Sequence, residues 1–391
     1  MRTLLARATL VFLLAVAWPS RVTANDFFDT TALQTLQLTM HAQDWADLRA
    51  HVDSNEYYPV DVEWHGIRVR NAGVRSRGLS TRYHAKPGLE ISFDRYAVRQ
   101  RFMGLRSVVM DNLISDPSML RERVAMNFLR RVGVPAPRET FARLVVNGDD
   151  MGLYTMTEAL DPTFVQGRFG DPGALFEYRW TRPFFATDPG SDLDAYRTLF
   201  APRNDAPRST FEWYQPIRDL FRAINDAPDA TFARDVSALL DLDAFIRLVA
   251  ADVVLAEWDG FLGYDGMNNV YLYRQGAVSQ LLPWDKDHAF HAVDYPVLAG
   301  AAENVLMRRL LSDPDLRATF LAQVEATARS AQDGDWLATQ VEQTYALIRD
   351  AALADTAKLA TNDEFEAAAA EVLTIARRRP AFVLDEIRRL R

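Results

Sequence analysis

Aspartate, asparagine and histidine side chains, which can bind cations or move protons, gather in one part of the chain. The stretch LLPWDKDHAFH, residues 281–291, places two aspartates and two histidines directly behind an apolar run, in a chain with only six histidines. With the residues that precede this stretch, the candidates are Asp259, Asp265, Asn268, Asn269, Asp285, Asp287, His288 and His291. This density of polar ligands predicts a functional site.

The apolar segments around these residues predict how they come together. Residues 270–273 and 281–282 are typical of two short paired strands joined by a turn near Gly276. In such a hairpin, Asn269 and Asp285 lie near the same end. Oxygen ligands at the mouth of a hairpin suit a hard cation such as magnesium, which binds few protein carboxylates and keeps its other positions for water or phosphate oxygens.

Two alternatives stay open for this stretch. Each aspartate or asparagine taken alone is typical of turns and caps, although Asp285 leaves a buried strand, where its charge needs a partner. In the other alternative, Asp285, Asp287, His288 and His291 bind zinc or manganese, because histidine favours transition metals. That set predicts a metal-dependent hydrolase of phosphoesters.

The elements that must position these residues change in character along the chain. Residues 33–160 mix strands with a few helices, and LQTLQLTM and LEISFDRY show the apolar alternation of half-buried strands. Residues 210–391 are mostly helical apart from the hairpin. The segment 180–212 is rich in turn residues and predicts a long loop or insertion. The pattern therefore predicts an α+β fold with two lobes.

One helix of the N-terminal part is marked at both ends. In DPSMLRERVAMNFLRRVG, Asp116 is a suitable cap, Pro117 suits the first helical position and Gly133 stops the helix. We therefore expect a helix over residues 117–132.

The chain begins with the pattern of an export signal and has an acidic composition. Residues 1–24 combine a basic start, an apolar run and a small-residue exit, typical of a secretory signal peptide cut after Ala24. The absence of cysteine excludes disulfides and thiolate metal sites, and a net charge of −9 argues against sequence-independent nucleic-acid binding. We expect a periplasmic, cell-surface or extracellular protein, with no nucleic-acid partner and no integral membrane segment in the mature chain.

Four ordered blocks of the sequence resemble one known family, the spore-coat CotH proteins, which are secreted and have an atypical protein-kinase-like fold. The blocks are GVRSRGLSTRYHAKPGLEISFDRY, NLISDPSMLRERVAMNFLRRVGVPAPR, VNGDDMGLYTMTEALD, and EWDGFLGYDGMNNVYLYRQ followed by LLPWDKDHAF. The resemblance implies a kinase-like domain over residues 25–391, with an N-terminal lobe at about 25–160 and a mostly helical C-terminal lobe at 161–391. It also implies magnesium-dependent transfer of a phosphoryl group from ATP to Ser or Thr hydroxyls of secreted or envelope proteins.

The resemblance further assigns roles to individual residues. Asp285 and Asn269 match the magnesium-binding residues of kinases, with Asp287 and Asn268 as alternates. Asp259 matches the aspartate that orients the substrate hydroxyl. It precedes Asn269 by ten positions where ordinary kinases have five, so Asp265 is the alternate.

The cationic side of the implied nucleotide site comes from another part of the chain. The resemblance implies that Lys86 contacts the ATP phosphates and pairs with Glu122 or Glu158. The chain has no recognisable glycine-rich phosphate loop, so Arg75 and Arg77 are further candidates for phosphate binding. Besides the kinase and the hydrolase, a third hypothesis stays open: a catalytically inactive envelope or coat protein.

Overall fold

A computed structural model describes residues 22–204 and 207–391. The predicted signal peptide lies outside the described residues, except for its last three positions. None of the helices in the described ranges combines the length and the apolar character needed to cross a bilayer.

The N-terminal part folds into a closed barrel, with the strand order β1-β2-β3-β4-β5-β7-β6. Its strands are β1 (Gln34–Thr39), β2 (Tyr58–Trp64), β3 (Ile67–Ser76), β4 (Leu89–Ser92), β5 (Ser107–Asp111), β6 (Glu139–Val146) and β7 (Asp149–Glu158). Parallel pairing of β1 with β6 closes the barrel, while the other neighbours pair antiparallel. The predicted hairpin of β6 and β7 turns at Asn147 and Gly148, which both have positive φ angles.

Alternation along the barrel strands separates an apolar interior from a charged outer face. On β3 and β4, Val74 and Ile91 are fully buried in the barrel core. The intervening Arg75 and Glu90 point to the other side, where they form an ion pair. The pleat of these strands therefore places charged side chains against the rest of the molecule, because successive side chains point to opposite faces.

A second, antiparallel sheet has the order β11-β10-β8-β9. Its strands are β8 (Ala174–Tyr178), β9 (Phe200–Pro202), β10 (Val270–Gln275) and β11 (Val278–Pro283). The hairpin of β10 and β11 has the predicted turn at Gly276, which has a φ of 60°.

Except for the first two, which contribute to the barrel core, and the fourth, which packs in a smaller cluster, the helices build the larger apolar core. They are α1 (Ala24–Phe27), α2 (Ala42–Ala50), α3 (Arg121–Arg131), α4 (Pro162–Phe169), α5 (Leu193–Leu199), α6 (Thr210–Asp226), α7 (Phe232–Ser237), α8 (Leu242–Val254), α9 (Val305–Ser312), α10 (Pro314–Gln332), α11 (Trp336–Ala354) and α12 (Asn362–Leu390). The expected α+β class, with a strand-rich N-terminal region and a helical C-terminal region, is confirmed.

Two expectations about elements need correction. The helix expected at 117–132 begins at Arg121, because Asp116 accepts the Leu120 and Arg121 N–H groups from an outside turn, at 2.9 Å each. The segment 180–212, predicted as a long loop or insertion, is not a loop throughout: it contains α5 and β9, and it ends inside α6. A three-residue strand such as β9 is too short to show periodicity, and its pairing with β8 is what defines it.

Candidate active site

The mouth of the β10–β11 hairpin brings the two principal magnesium candidates together. The Trp284 N–H donates to the Asn269 carbonyl at 3.0 Å. Asp285, the next residue after Trp284, therefore lies close to Asn269. Both have left-handed backbones, with φ angles of 52° and 48°. Such a conformation is costly for a residue other than glycine, and it persists at sites where the surrounding structure holds a side chain in place.

Asp259 is hydrogen-bonded to the same hairpin mouth. Its Oδ2 accepts from Asn268 Nδ2 at 3.0 Å and from Asn269 Nδ2 at 3.1 Å, and the Asn269 amide also donates to the Asp259 carbonyl oxygen at 3.1 Å. The ten-residue separation between Asp259 and Asn269 is therefore bridged by a looped segment. Burial raises the pKa of Asp259, while His288 and the Asn268 hydrogen bond oppose that rise.

Asp265 lies on that looped segment, but it belongs to a different set of contacts. Its carbonyl oxygen accepts a hydrogen bond from the Trp180 indole at 3.4 Å. Among the described residues its carboxylate takes no part in the Asp259 network.

Further carboxylates from the barrel and from α3 converge on Asp285. Burial and the charge of Asp285 raise the pKa of Asp111 to about 6. The pKa of Glu122 is raised by burial and by Glu139, and that of Asp287 by burial and by Asp285. Carboxylates that raise one another's pKa create a negative region, which a cation would relieve.

Lys86 is close enough to the acidic region for its charge to lower the pKa of Asp111, but its predicted carboxylate partner is wrong. It pairs with neither Glu122 nor Glu158. Its Nζ donates to Asp355 Oδ2 at 2.8 Å and to the Leu153 carbonyl at 2.5 Å, with no exposed surface. The carboxylate that satisfies Lys86 comes from the end of α11, far away in sequence.

Glu158 is committed to two arginines. Its Oε1 accepts from Arg138 at 2.6 Å and its Oε2 from Arg168 at 2.8 Å. This pairing ties the end of β7 to α4, which leaves Glu158 a structural role.

Arg75 and Arg77 point to the same side of β3 but reach different surroundings. The Arg77 guanidinium lies 4.6 Å from the centre of the Trp284 ring and 3.7 Å from Glu177. Arg75 pairs with Glu90 at 2.5 Å and donates to the Tyr57 hydroxyl at 3.1 Å. Of the two arginines, Arg77 therefore contacts Trp284, the residue directly before Asp285.

The two histidines of the opening stretch pack around one indole ring. His288 and His291 lie 4.9 and 5.3 Å from the centre of the Trp258 ring. His288 Nε2 is also 3.8 Å from Asp287 Oδ1. Within residues 22–204 and 207–391, no group of three or more His, Cys, Asp or Glu side chains is arranged to hold a metal ion.

The family model of the CotH kinase proteins matches residues 74–383. The chain belongs to the CotH kinase protein family. It is 24% identical over 351 residues to the inner spore coat protein H of Bacillus subtilis (strain 168), covering 85% of this chain and 92% of that protein. It is 26% identical over 237 residues to the invasin CotH3 of Rhizopus delemar, covering 55% of this chain and 39% of that protein.

A solved structure of a kinase also superposes on this CotH family member. The Helicobacter pylori proinflammatory kinase CtkA aligns with a TM-score of 0.31 and 10% identity, over 73% of this chain and 91% of that one. A score this low adds no argument to the family match. The family match therefore carries the kinase-like assignment.

The sequence did not single out one charged residue of this CotH site. Lys286 stands between Asp285 and Asp287, is fully buried, and lies 3.3 Å from Asp252 Oδ1. Burial alone would lower the pKa of Lys286, but Asp252 and Glu257 outweigh burial and raise it. The available signal was a lysine directly behind a buried strand, where an ammonium group needs a carboxylate partner.

Glu257 is the second carboxylate beside that lysine. Its Oε1 accepts the Asp259 N–H at 2.8 Å, and burial raises the pKa of Glu257 to about 8. Its Oε2 has no hydrogen-bond partner among the described residues. The loop that carries Asp259 thus rests on a buried group of one lysine and two carboxylates.

Proposed function

We propose that this protein is an ATP-dependent protein kinase that phosphorylates Ser or Thr hydroxyls of exported or surface proteins and uses magnesium. The observation that carries the proposal is the hydrogen-bonded group of Asp259, Asn268 and Asn269 at the mouth of the hairpin that also presents Asp285. Family membership gives this group a kinase context.

The donor set fits magnesium. Asp285 and Asn269 would hold the ion, with Asp287 and Asn268 as the alternates next to them. These are oxygen ligands, as magnesium prefers, and the neighbouring carboxylates Asp111 and Glu122 already have raised pKa values from crowding and burial. When bound, the ion neutralises charge on the nucleotide phosphates.

The residues of the chain divide the remaining work. Asp259, fixed by two amide donors, orients the acceptor hydroxyl and accepts its proton on a carboxylate oxygen. The acceptor oxygen bonds to the γ-phosphorus while the bond from that phosphorus to the bridging oxygen breaks, and ADP leaves with the electron pair. Arg77, beside Trp284, supplies positive charge to the phosphates, a role for which the resemblance implied Lys86 and for which Arg75 and Arg77 were further candidates.

A transfer assay with radiolabelled ATP tests the proposal. We expect Asp285→Ala to remove magnesium-dependent ATP binding while the protein stays folded. Asp259→Asn should lower transfer by about 10²- to 10⁴-fold with ATP affinity preserved, because its role is with the acceptor. The matched control is Asp265→Asn, whose carboxylate lies outside the network and should change transfer little.

The other outcomes of this assay point to the other hypotheses. Release of free phosphate without incorporation into protein would support a hydrolase. Absence of both, with no ATP binding, would support an inactive coat or envelope protein. Mg-ATP binding by Asp285→Ala equal to that of the parent would remove Asp285 from the metal site.

The proposed location outside the cytoplasm rests on the predicted signal and on the relatives. One relative is named as a spore coat protein and another as an invasin. Fractionation of cells that express the full chain, with detection of a shortened mature form, tests export. Retention of the full-length chain in the cytoplasm would contradict it.

A further inference from the structure

A large charged pocket opens on the outer face of the barrel. It has a volume of about 660 Å³ and is bounded by β3, β4, the loop from β4 to β5, and the chain after β9. Six of its lining residues are arginines, against three carboxylates, in a chain whose net charge is −9. The arginines are Arg75, Arg95, Arg99, Arg101, Arg106 and Arg203.

The three carboxylates of this arginine pocket do not balance its charge. Glu90 is used by Arg75 and by the Tyr57 hydroxyl, at 2.5 and 2.9 Å. Asp94 pairs with Arg101 at 2.9 Å and with Arg106 at 3.1 Å.

Asp161, the third carboxylate, caps α4, where its Oδ1 accepts two backbone N–H groups, and its Oδ2 accepts from Ser107. Arg95 and Arg99 form no ion pair with any of the described residues, and Arg95 instead lies over the Tyr57 ring at 4.7 Å. The pocket therefore presents two exposed guanidinium groups, those of Arg95 and Arg99, that have no carboxylate partner among the described residues.

The residues that line the pocket do not suit a nucleotide base, but they suit an anion. Adenine sites are largely apolar, but here Tyr57, Val98 and Pro202 are the apolar or aromatic members, and arginines cover Tyr57. The nucleotide phosphates of the proposed reaction belong beside Asp285, which is not among the lining residues. Guanidinium groups bind phosphate through paired N–H donors, so a second phosphate is the ligand that this surface fits.

We propose that the arginine pocket binds a phosphorylated serine or threonine of the protein substrate. This inference rests on the proposed kinase function and names its substrate class: a chain that already carries phosphate near the next acceptor hydroxyl. The pocket is linked to the candidate active site through Arg77, which lies 3.8 Å from Glu90 and against Trp284. A bound phosphoresidue would hold the substrate alongside the site, so each phosphorylation would favour the next one.

Binding to the full chain tests this proposal directly and does not require activity. The probes are inorganic phosphate and a short phosphoserine peptide, titrated by calorimetry against the parent and Arg95→Gln/Arg99→Gln. Both side chains are exposed, so this variant should fold normally, and we expect it to bind the phosphopeptide roughly tenfold or more weakly. The matched control is Arg68→Gln/Arg70→Gln, which removes the same charge from exposed positions of β3 outside the pocket and should bind like the parent.

Saturation with magnesium and a non-hydrolysable ATP analogue completes the test. We expect phosphopeptide binding to persist under this saturation. In a separate transfer assay with ATP itself, we expect a phosphorylated peptide substrate to be used at a lower KM than its unphosphorylated form. Displacement of the phosphopeptide by the nucleotide would assign the pocket to ATP and overturn the proposal. An equal loss of phosphopeptide affinity in the pocket variant and the control would also overturn it, as would the absence of binding of either probe by the parent. If the parent binds the phosphopeptide but transfers no phosphoryl group to any protein or peptide, the kinase function alone is contradicted.

Discussion

Lys86 and Lys286 are equally buried, with no exposed surface, yet their surroundings shift the two pKa values in opposite directions. Burial lowers the pKa of Lys86, and the carboxylates of Asp355 and Asp111 only partly oppose this. The pKa of Lys286 is raised, because Asp252 and Glu257 together outweigh the effect of burial. The number of nearby carboxylates, rather than depth, decides how firmly a buried lysine keeps its proton.

The two lysines also stabilise different parts of the molecule. Lys86 joins the barrel to the end of α11, where Asp355 also accepts the Leu153 N–H at 2.9 Å. A side chain on Gly152 would collide there, because a Cβ would lie 2.3 Å from the Asp355 carboxylate. Lys286 instead supports the loop of Asp259 through Asp252 and Glu257. The Lys86–Asp355 pair therefore has a structural role, whereas the group of Lys286, Asp252 and Glu257 supports the loop that carries the proposed catalytic residue.

Replacing Lys286 should have the largest effect on stability. Lys286→Met leaves the buried Asp252 carboxylate without its cation, beside a Glu257 that keeps its proton at neutral pH, and we expect a loss of about 3–5 kcal/mol in the free energy of unfolding. Urea unfolding at neutral pH measures it. The control is Lys358→Met: Lys358 is only half-buried and bonds Asn362 and a carbonyl oxygen, so its loss should cost about 1 kcal/mol or less. Equal losses in the two variants would break the proposed distinction by carboxylate number.

The group around Lys286 should also make stability depend on pH. Because burial raises the pKa of Glu257 to about 8, the folded protein keeps a proton that the unfolded chain releases near pH 4.5. This group therefore stabilises the fold fully below pH 4.5, and its contribution falls as the pH rises to about 8. Between pH 6 and pH 8 the loss should be about 2 kcal/mol.

Thermal unfolding across that pH range checks the prediction, with Glu257→Gln as the comparison. The amide has no proton to lose, so its stability curve should be flatter than that of the parent. Parallel curves for the two proteins would show that Glu257 does not hold the proton.

Replacing Lys86 should cost less. In Lys86→Met, the Asp355 carboxylate still accepts N–H groups from Leu153, Ala357 and Lys358, so we expect a loss of about 1–2 kcal/mol. Affinity for Mg-ATP should stay within about twofold of the parent, because Lys86 has no exposed surface from which to reach a ligand. If a folded Lys86→Met protein fails to bind Mg-ATP, Lys86 is a nucleotide ligand after all and the comparison fails.

The sequence predicted those parts of the structure that local patterns encode. The alternation in residues 34–39 and 89–92 indicated strands, and the apolar runs around Gly276 indicated the hairpin that brings Asn269 next to Trp284. Turn residues and two-residue periodicity are set by neighbours along the chain, so they are visible without a structure.

The partners of buried charges could not be predicted in the same way. Asp355 follows Lys86 by 269 positions, and no local pattern connects them. The resemblance to kinases favoured Glu122 or Glu158, but Glu122 lies among other carboxylates and Glu158 is held by Arg138 and Arg168. Long-range pairing depends on how the barrel and the helices pack, and no local pattern in the sequence reveals that packing.

The smallest effect is expected for the two histidines that follow Lys286 in the same loop. His288 and His291 pack around Trp258, and the side chain of His288 is 33% exposed, so neither forms a buried ion pair of the kind that Lys286 forms with Asp252. His288→Gln/His291→Gln should therefore cost about 1 kcal/mol or less and keep most magnesium-dependent activity. Metal content by mass spectrometry, together with the ATP assay, measures both, and Asp285→Ala is the positive control for a lost site. If the parent carries tightly bound zinc or manganese that disappears with activity from the double variant, the histidines are ligands, because removing a metal ligand weakens binding strongly. That result would favour the hydrolase over the kinase. It would also mean that the two histidines, rather than the buried Lys286, are the functionally important residues of this loop.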